Sequence, residues 1–439
     1  MSDYNRFLSK KDEPILRIRC PVHGFIRFSE NEEKFINHPL FQRLRNIKQL
    51  ALACYVYPGA LHSRFEHSLG VMQLVTQAFD SLYRNYGDIL KESFASVYEF
   101  KKNTIPKVRQ LVRLVALLHD IGHTPFSHAG EILAPDATHE NISIYAIKNR
   151  LKELLNKTYW NGIEEWIVKF IDDSQQELPP QFSILKQLIS SHMDFDRTDY
   201  LIRDSFYCGV DYGRFDYKRL LESLAIKQEN DRIDIAIDRG GWHVFEALIL
   251  ARYQMNTQVY YHRIRRIYDY YIREYLKIIK EKFNDIDWIL DNDDVTILNR
   301  MRTDANKKSN NKLQKYADRI INRKHHKVIL EVGDHADAND LKRVKNVFNN
   351  IKSQYEDIDF VLDDGSGSIH KLFIAGEQKI DDDLFIVEKN SDIYERLTEK
   401  SKIISKIPKG FRVLRIFADT DRNKIKKLKE ESQKFLDKA

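Results

Sequence analysis

From about residue 35 to residue 290, apolar side chains recur at three- and four-residue spacing. Leu69, Met72, Val75, Phe79 and Leu82 form one such series, and Leu111, Leu114, Val115 and Leu118 another. Residues three and four apart share one face of an α-helix, so this period commits most of the first 300 residues to helices that each bury a stripe. The opening ILRIRCPVHGFIRFS instead alternates apolar and polar residues around Pro21 and Gly24, which predicts a short β-hairpin ahead of the helices. Past residue 327 the period changes again. HKVILEVG, IDFVLDD, HKLFIAG, DLFIVEK and FRVLRIFAD read as strands, and residues 338–356 and 422–435 as amphipathic helices. The expected fold is mainly α: a helical core with a short N-terminal hairpin and a small C-terminal α/β domain.

A chain of 439 residues exceeds what one core usually supports. The expected division is 1–300 for the helical domain with its hairpin, 301–327 for a basic linker or helix, and 328–439 for the α/β domain. With 42% hydrophobic and 31% charged residues, the composition excludes a disordered or fibrous chain. No run of about 18 uncharged apolar residues occurs, and the first twenty residues lack the apolar stretch of a signal peptide. A cytoplasmic location and no membrane partner are therefore expected. Cys20, Cys54 and Cys208 lie far apart without CxxC spacing, which argues against a disulfide framework or a thiolate zinc site. Residues 299–327 hold ten Lys/Arg against Asp304 and Asp318, a pattern that suits a solvated helix face or a weak nucleic-acid contact. His325 and His326, inside that segment, read as solvent-facing.

One helix runs into chemistry. In LVRLVALLHDIGHTPFSH the apolar period should end near Gly122, with Pro125 preventing continuation, so His119 and Asp120 fall in the last turn. Imidazole and carboxylate together suit Mn, Fe, Zn or Ni, whereas an all-oxygen set would suggest Mg or Ca. Two ligands do not hold an ion. Further ones must come from His67, which opens another amphipathic helix, and from one of the acids in SSHMDFDRTDYLIRD, where Asp196, Tyr200 and Asp204 recur at four-residue steps on one face. A lone His-Asp pair says little, but His123, His128 and His139 within twenty residues are hard to explain as packing, because buried imidazoles need partners.

The order His67, then His119-Asp120, then a distant aspartate resembles the H…HD…D series of the HD superfamily of metal-dependent phosphohydrolases. The resemblance extends to one branch, the deoxynucleoside triphosphate triphosphohydrolases. It is carried by PVHGFI (21–26), HPLFQRLRNIKQL (38–50), YPGALHSRFEHSLGV (57–71), LLHDIGHTPFSHAGE (117–131), THE (138–140), DRTDYLIRDSFYCGV (196–210), FDYKRL (215–220) and ARYQMNTQVYYH (251–262). It implies an HD-domain helical core in which His67, His119, Asp120 and Asp196 bind one divalent transition metal per site, with Mg accompanying the triphosphate. It implies further that His123, His128, Glu131, His139 and Glu140 line the reacting phosphate and that Gln49 and Asp204 contact the sugar 3′-hydroxyl. Tyr200 would exclude a 2′-hydroxyl, and Arg64, Arg197, Arg252 and Tyr260 would hold the triphosphate. Deoxynucleoside triphosphates are the implied substrates. A homo-oligomer, dimer or tetramer, is the implied assembly, with an allosteric nucleotide at subunit contacts.

The residue chemistry agrees. A triphosphate carries about four negative charges and needs fixed cations, for which arginine's planar fork is suited. The leaving 5′-oxygen must be protonated, and His139 is the candidate acid, tuned by Glu131 or Glu140, with His123 and His128 stabilising charge on the phosphoryl oxygens. Asn37 stands where many members carry an aspartate. A carboxylate accepts from two N–H donors of a guanine edge and an amide cannot, so the resemblance stops short of implying guanine-nucleotide activation. Arg197 and Asn256 likewise replace a lysine and a histidine seen in vertebrate members. Two alternatives remain: an HD phosphatase, phosphodiesterase or nuclease acting on another nucleotide, and a nucleotide- or nucleic-acid-binding regulator with little catalysis.

Overall fold

The structure, a computed structural model, describes residues 10–172, 178–280, 285–307, 311–370, 384–388 and 393–438. It is mainly helical, with a small N-terminal antiparallel sheet and further sheets that draw on its C-terminal part. β1 (Leu16–Cys20) pairs with β2 (Gly24–Phe28), Cys20 opposite Gly24. The three-residue loop between them closes through Gly24 at φ +74, a left-handed conformation that costs glycine nothing.

Four helices carry the site. α1 (Arg64–Ala95) kinks at Tyr86 and packs beside α2 (Thr104–Leu118), their apolar stripes buried in one core. α3 (His139–Ala146) starts with a capping box between Thr138 and Asn141, and α4 (Phe195–Cys208) is capped by the Asp194 carboxylate and ends at Gly209, φ +69. α2 stops at Leu118 with His119 as its C-cap, earlier than the period suggested. The turn that follows presses so closely on α3 that a Cβ at Gly122 would lie 2.2 Å from the Ser143 nitrogen.

The region expected to be helical also holds a hairpin, β3 (Leu224–Glu229) and β4 (Arg232–Asp238), turning at Asn230 with φ +53. LAIKQENDRIDIAID alternates with period two, a signal overridden by the helical reading around it. Downstream come α5 (Arg263–Ile279), α6 (Asp294–Ala305) and α7 (Lys312–Ile321). Then follow β5 (Lys327–Val332), α8 (Ala338–Gln354), β6 (Asp359–Ser368), β7 (Phe385–Val387), β8 (Tyr394–Arg396), β9 (Gly410–Asp419) and α9 (Arg422–Lys438). The strand expected in HKLFIAG lies, apart from His370, outside the described residues.

β5, β9 and β6 form an antiparallel sheet in that order. Both faces of β9 are buried: Phe411, Val413 and Phe417 join the main core, while Leu414, Ile416 and Ala418 meet Val344, Val347, Ile351 and Leu428 of α8 and α9. β7 lies parallel to β4 and β8 antiparallel to β7, so these two short strands complete a four-stranded sheet begun by β3 and β4. The Ser401 hydroxyl also bonds Glu246. Much of the basic segment's charge is paired within the fold: Lys307 with Asp304, Lys315 with Asp359, Arg319 with Asp419 and Lys324 with Asp318. His326 is not solvent-facing as its neighbours suggested. It is 1% exposed with Nδ1 2.5 Å from the Tyr271 hydroxyl, because the chain there dives under α5 to start β5; His325 is half-buried.

Candidate active site

The end of α2 meets the first turns of α1 and α4. His67 sits in the first turn of α1, fully buried, its Nε2 2.9 Å from Asp196 Oδ1 and 3.5 Å from Asp120 Oδ2. His119 Nε2 lies 3.4 Å from Asp120 Oδ1 and 3.7 Å from Asp196 Oδ1. His67, His119 and Asp120 offer ligand atoms within 4.8 Å of one another, and Asp196 closes the group from α4. Four groups from three separate stretches of chain converge here.

The tautomers point the same way. His119 Nδ1 donates to the Ala116 carbonyl at 2.8 Å, and His67 Nδ1 donates to Asp199 Oδ2 at 2.8 Å. Each ring therefore turns an Nε2 lone pair inward, and both Nε2 atoms are buried without a hydrogen bond. Buried polar atoms are nearly always satisfied, so a pair of inward lone pairs beside two carboxylates fits a divalent cation well. The nitrogen and oxygen donor set suits a transition metal.

Beside this centre the three further histidines form a second cluster. The His123 and His139 rings stack at 4.3 Å, and His128 stands edge-on to both at 5.2 Å. Glu131 Oε1 accepts from His128 Nδ1 at 2.9 Å and from His139 Nδ1 at 3.0 Å, while Glu140 approaches His139 Nε2 at 3.1 Å. Burial works to raise the Glu131 carboxyl, yet the two histidine hydrogen bonds hold it below the usual carboxylate range. Burial works to lower His139, and the Glu131 hydrogen bond with the Asp120 and Glu140 charges raises it, so this ring tends to hold its proton. Burial and then the Arg64 charge push His123 well below the ordinary imidazole value, which leaves it neutral. A protonated and a neutral imidazole stacked side by side offer one acid and one neutral hydrogen-bonding group.

Arg64 is joined to the candidate ligand set, with Nη1 2.7 Å from Asp120 Oδ2 and Nε 2.8 Å from the Ser127 hydroxyl. Arg197 is bound to Asp194, and Arg252 donates to the Ser368 carbonyl at 3.0 Å. Both line a cavity of about 1030 Å³ together with His192 and Arg232. Tyr200 lies between the two regions, its ring 6.5 Å from His67 and 6.1 Å from Tyr260. Asp204 is nearly fully buried, and its two oxygens take His62 Nε2 at 2.7 Å and the Tyr260 hydroxyl at 2.7 Å. Gln49 is buried on the loop bonded to His62 through the main chain, and its Oε1 has no hydrogen-bond partner. The structure thus gathers the four candidate metal ligands, the histidine cluster and Arg64 in one place. It puts Arg197 and Arg252 on a neighbouring wall and Gln49 with Asp204 on a third side.

Several positioning groups escaped the sequence reading. Asp199 accepts from His67 and from Nε and Nη2 of Arg203, at 2.8, 2.8 and 2.9 Å. A Cβ at Gly70 would lie 2.0 Å from Asp199 Oδ1, so the bare glycine admits this carboxylate. Arg43 bonds the Ile121 and His123 carbonyls at 2.9 Å each and the Ile289 and Asn292 carbonyls at 3.1 and 2.9 Å, clamping the turn after Asp120. Ser143 spans the same turn, donating to the His119 carbonyl and accepting from Gly122 N. Asp294 accepts from Phe126 N at 2.6 Å and Lys48 N at 3.0 Å. The i, i+4 pairing of Asp199 with Arg203 was a readable signal; the other contacts span more than 20 residues of sequence and had none.

Comparison with known proteins identifies the frame. Residues 64–234 match the model of the HD domain and residues 215–359 that of the HD associated region. An uncharacterized protein of Methanocaldococcus jannaschii is 34% identical over 290 residues, 66% of this chain and 55% of its own. The deoxynucleoside triphosphate triphosphohydrolase SAMHD1 homolog of Dictyostelium discoideum is 28% identical over 287 residues, 62% of this chain and 50% of its own. The chain spans about half the length of these relatives. A crystal structure of a phosphohydrolase from Bacteroides thetaiotaomicron superposes with a TM-score of 0.71 and 26% identity, covering 92% of this chain and all of that one.

Proposed function

The chain belongs to the HD-domain proteins, and from that premise we propose that it is a metal-dependent hydrolase of deoxynucleoside triphosphates, releasing deoxynucleoside and inorganic triphosphate. The observation that carries this reading is the convergence of His67, His119, Asp120 and Asp196 on one centre, with two buried Nε2 lone pairs facing it, next to His139 and Arg64. Similarity to a deoxynucleoside triphosphate triphosphohydrolase supports the choice of substrate.

His67, His119, Asp120 and Asp196 would hold the ion. A divalent cation there supplies Lewis acidity and neutralises phosphate charge. The chain's own groups do the rest. Water adds to the α-phosphorus as its bond to the 5′-oxygen breaks, and His139, hydrogen-bonded to Glu131 through Nδ1, delivers its proton to the leaving 5′-oxygen. His123 and His128 line the α-phosphoryl oxygens as charge develops there, and the Glu140 carboxylate beside His139 Nε2 keeps that ring protonated until the proton leaves from this nitrogen. Arg64 grips the phosphates nearest the centre and Arg197 and Arg252 the outer ones, with Tyr260 between them and Asp204. Gln49, whose buried Oε1 lacks a partner, and Asp204 receive the sugar 3′-hydroxyl, and the Tyr200 ring closes the space a 2′-hydroxyl would need.

The test is purified protein with Mn²⁺ and each of four dNTPs and four NTPs, with products separated by ion exchange. Triphosphate from dNTPs alone is the expected result. Pyrophosphate or monophosphate would move the protein to another HD phosphohydrolase chemistry, and no turnover of any nucleotide would contradict the reading.

A further inference from the structure

The loop of the N-terminal hairpin reaches the metal centre's support. His23 follows Pro21 and Val22 in the loop that Gly24 closes, and its side chain is only 2% exposed. Its Nε2 lies 2.5 Å from Asp199 Oδ1, the oxygen that faces away from His67. Asp199 is completely buried and has four N–H neighbours: His67 Nδ1, His23 Nε2, and Nε and Nη2 of Arg203. Cys20, at the end of β1, places its Sγ 3.6 Å from both terminal nitrogens of Arg203, so the hairpin flanks the Asp199–Arg203 pair on two sides. Tyr217 packs edge-on against the His23 ring at 5.9 Å and limits its rotation.

A carboxylate can aim an imidazole only if it is itself held. Asp199 sets the tautomer of His67 by accepting from Nδ1, which leaves Nε2 free to face Asp120 and Asp196. Arg203 balances its charge along α4, but that contact is to the same helix, one turn away, and would let the carboxylate shift with its own backbone. His23 is the donor that comes from a different element and ties Oδ1 to the hairpin. We infer that His23 is a positioning residue for the metal centre: acting through Asp199, it fixes the orientation of His67, so the N-terminal hairpin is a working part of the site. The inference rests on the metal-binding half of the proposed function and not on the identity of the nucleotide.

The test reads metal affinity directly. Full-length wild type, His23→Phe and His23→Gln are stripped with chelator and titrated with Mn²⁺, free ion being followed by electron paramagnetic resonance, and folding is checked by circular dichroism melting. Replacing groups that orient a liganding histidine typically costs about 10–100-fold in metal affinity. His23→Phe, which keeps the ring's bulk and loses the donor, is expected at the lower end, about 10-fold. His23→Gln, which can still donate to Asp199, is expected to recover most of it. If His23→Phe melts early, His23→Ala measured at a temperature where it is folded serves instead, with a loss of about 10-fold expected and wild-type affinity overturning the role. A folded His23→Phe protein that binds Mn²⁺ like the wild type overturns the positioning role and leaves the metal centre standing. A wild type that binds no Mn²⁺, Fe²⁺, Zn²⁺ or Ni²⁺ overturns both.

Discussion

The most informative single group is His139. It is placed by the capping box at the start of α3, stacked on His123 and hydrogen-bonded to Glu131, and of the four candidate metal ligands only Asp120 lies near its ring, as a charge rather than a hydrogen-bond partner. Its removal should therefore separate proton delivery from metal holding. His139→Ala is expected to retain one equivalent of metal and to lower kcat by about 100-fold or more, since a positioned general acid contributes about 10²–10⁴. Wild-type turnover in that variant would remove His139 from the chemistry. At this scale the sequence was generous, because histidines and acids packed into a helix end have few structural explanations. It was silent where a residue works through a second one. The spacing of Asp199 and Arg203 hinted at a pair on α4, but nothing in the sequence tied Asp199 to His67 or to His23 in the hairpin loop, which the fold puts 2.5 Å from it.

Among the elements, α6 is the one whose distance from the site in sequence hides its role. Asp294, in its first turn, is 1% exposed and braces both the Phe126 turn and the Lys48 loop. Burial raises its pKa to about 6, against an ordinary value near 3.8. Below about pH 4 folded and unfolded chains both hold this proton, and between about 4 and 6 only the folded chain does. The group's contribution to stability is thus present at low pH and is lost as pH rises through 6, by up to about 3 kcal/mol. Asp294→Asn cannot ionise. Urea unfolding at a series of pH values is expected to show wild type losing ground to the variant from pH 4 to 6.5; a constant difference would mean that Asp294 titrates alike in the folded and unfolded chains. The helical period and the opening hairpin were legible because each depends on local spacing. The β3–β4 hairpin was legible but was outvoted by neighbouring helices, and the braces from Arg43 and Asp294 were not, because a long-range carboxylate or guanidinium leaves no periodic trace.

Taken as a whole molecule, the chain does not fold back on itself in sequence order. β7 pairs with β4, Arg266 of α5 bonds Asp363 of β6, and the inner face of β9 belongs to the main core. A boundary near residue 327, suggested by the change in period, would cut these contacts. The fragment 1–327 is accordingly expected to be insoluble or molten, and the full chain to unfold in one calorimetric transition; a soluble, metal-binding 1–327 fragment with a cooperative melt would restore the two-unit division. Three features depend on this assembly together: the histidine end of α2, the first turn of α1 and the acid of α4, brought to one point. Anomalous diffraction from crystals grown with Mn²⁺ tests that convergence most directly. One peak within about 2.0–2.3 Å of His67 Nε2, His119 Nε2, Asp120 and Asp196, absent from Asp196→Ala crystals, is the expected result. Full occupancy elsewhere, or no peak in a protein that still hydrolyses nucleotides, would contradict it.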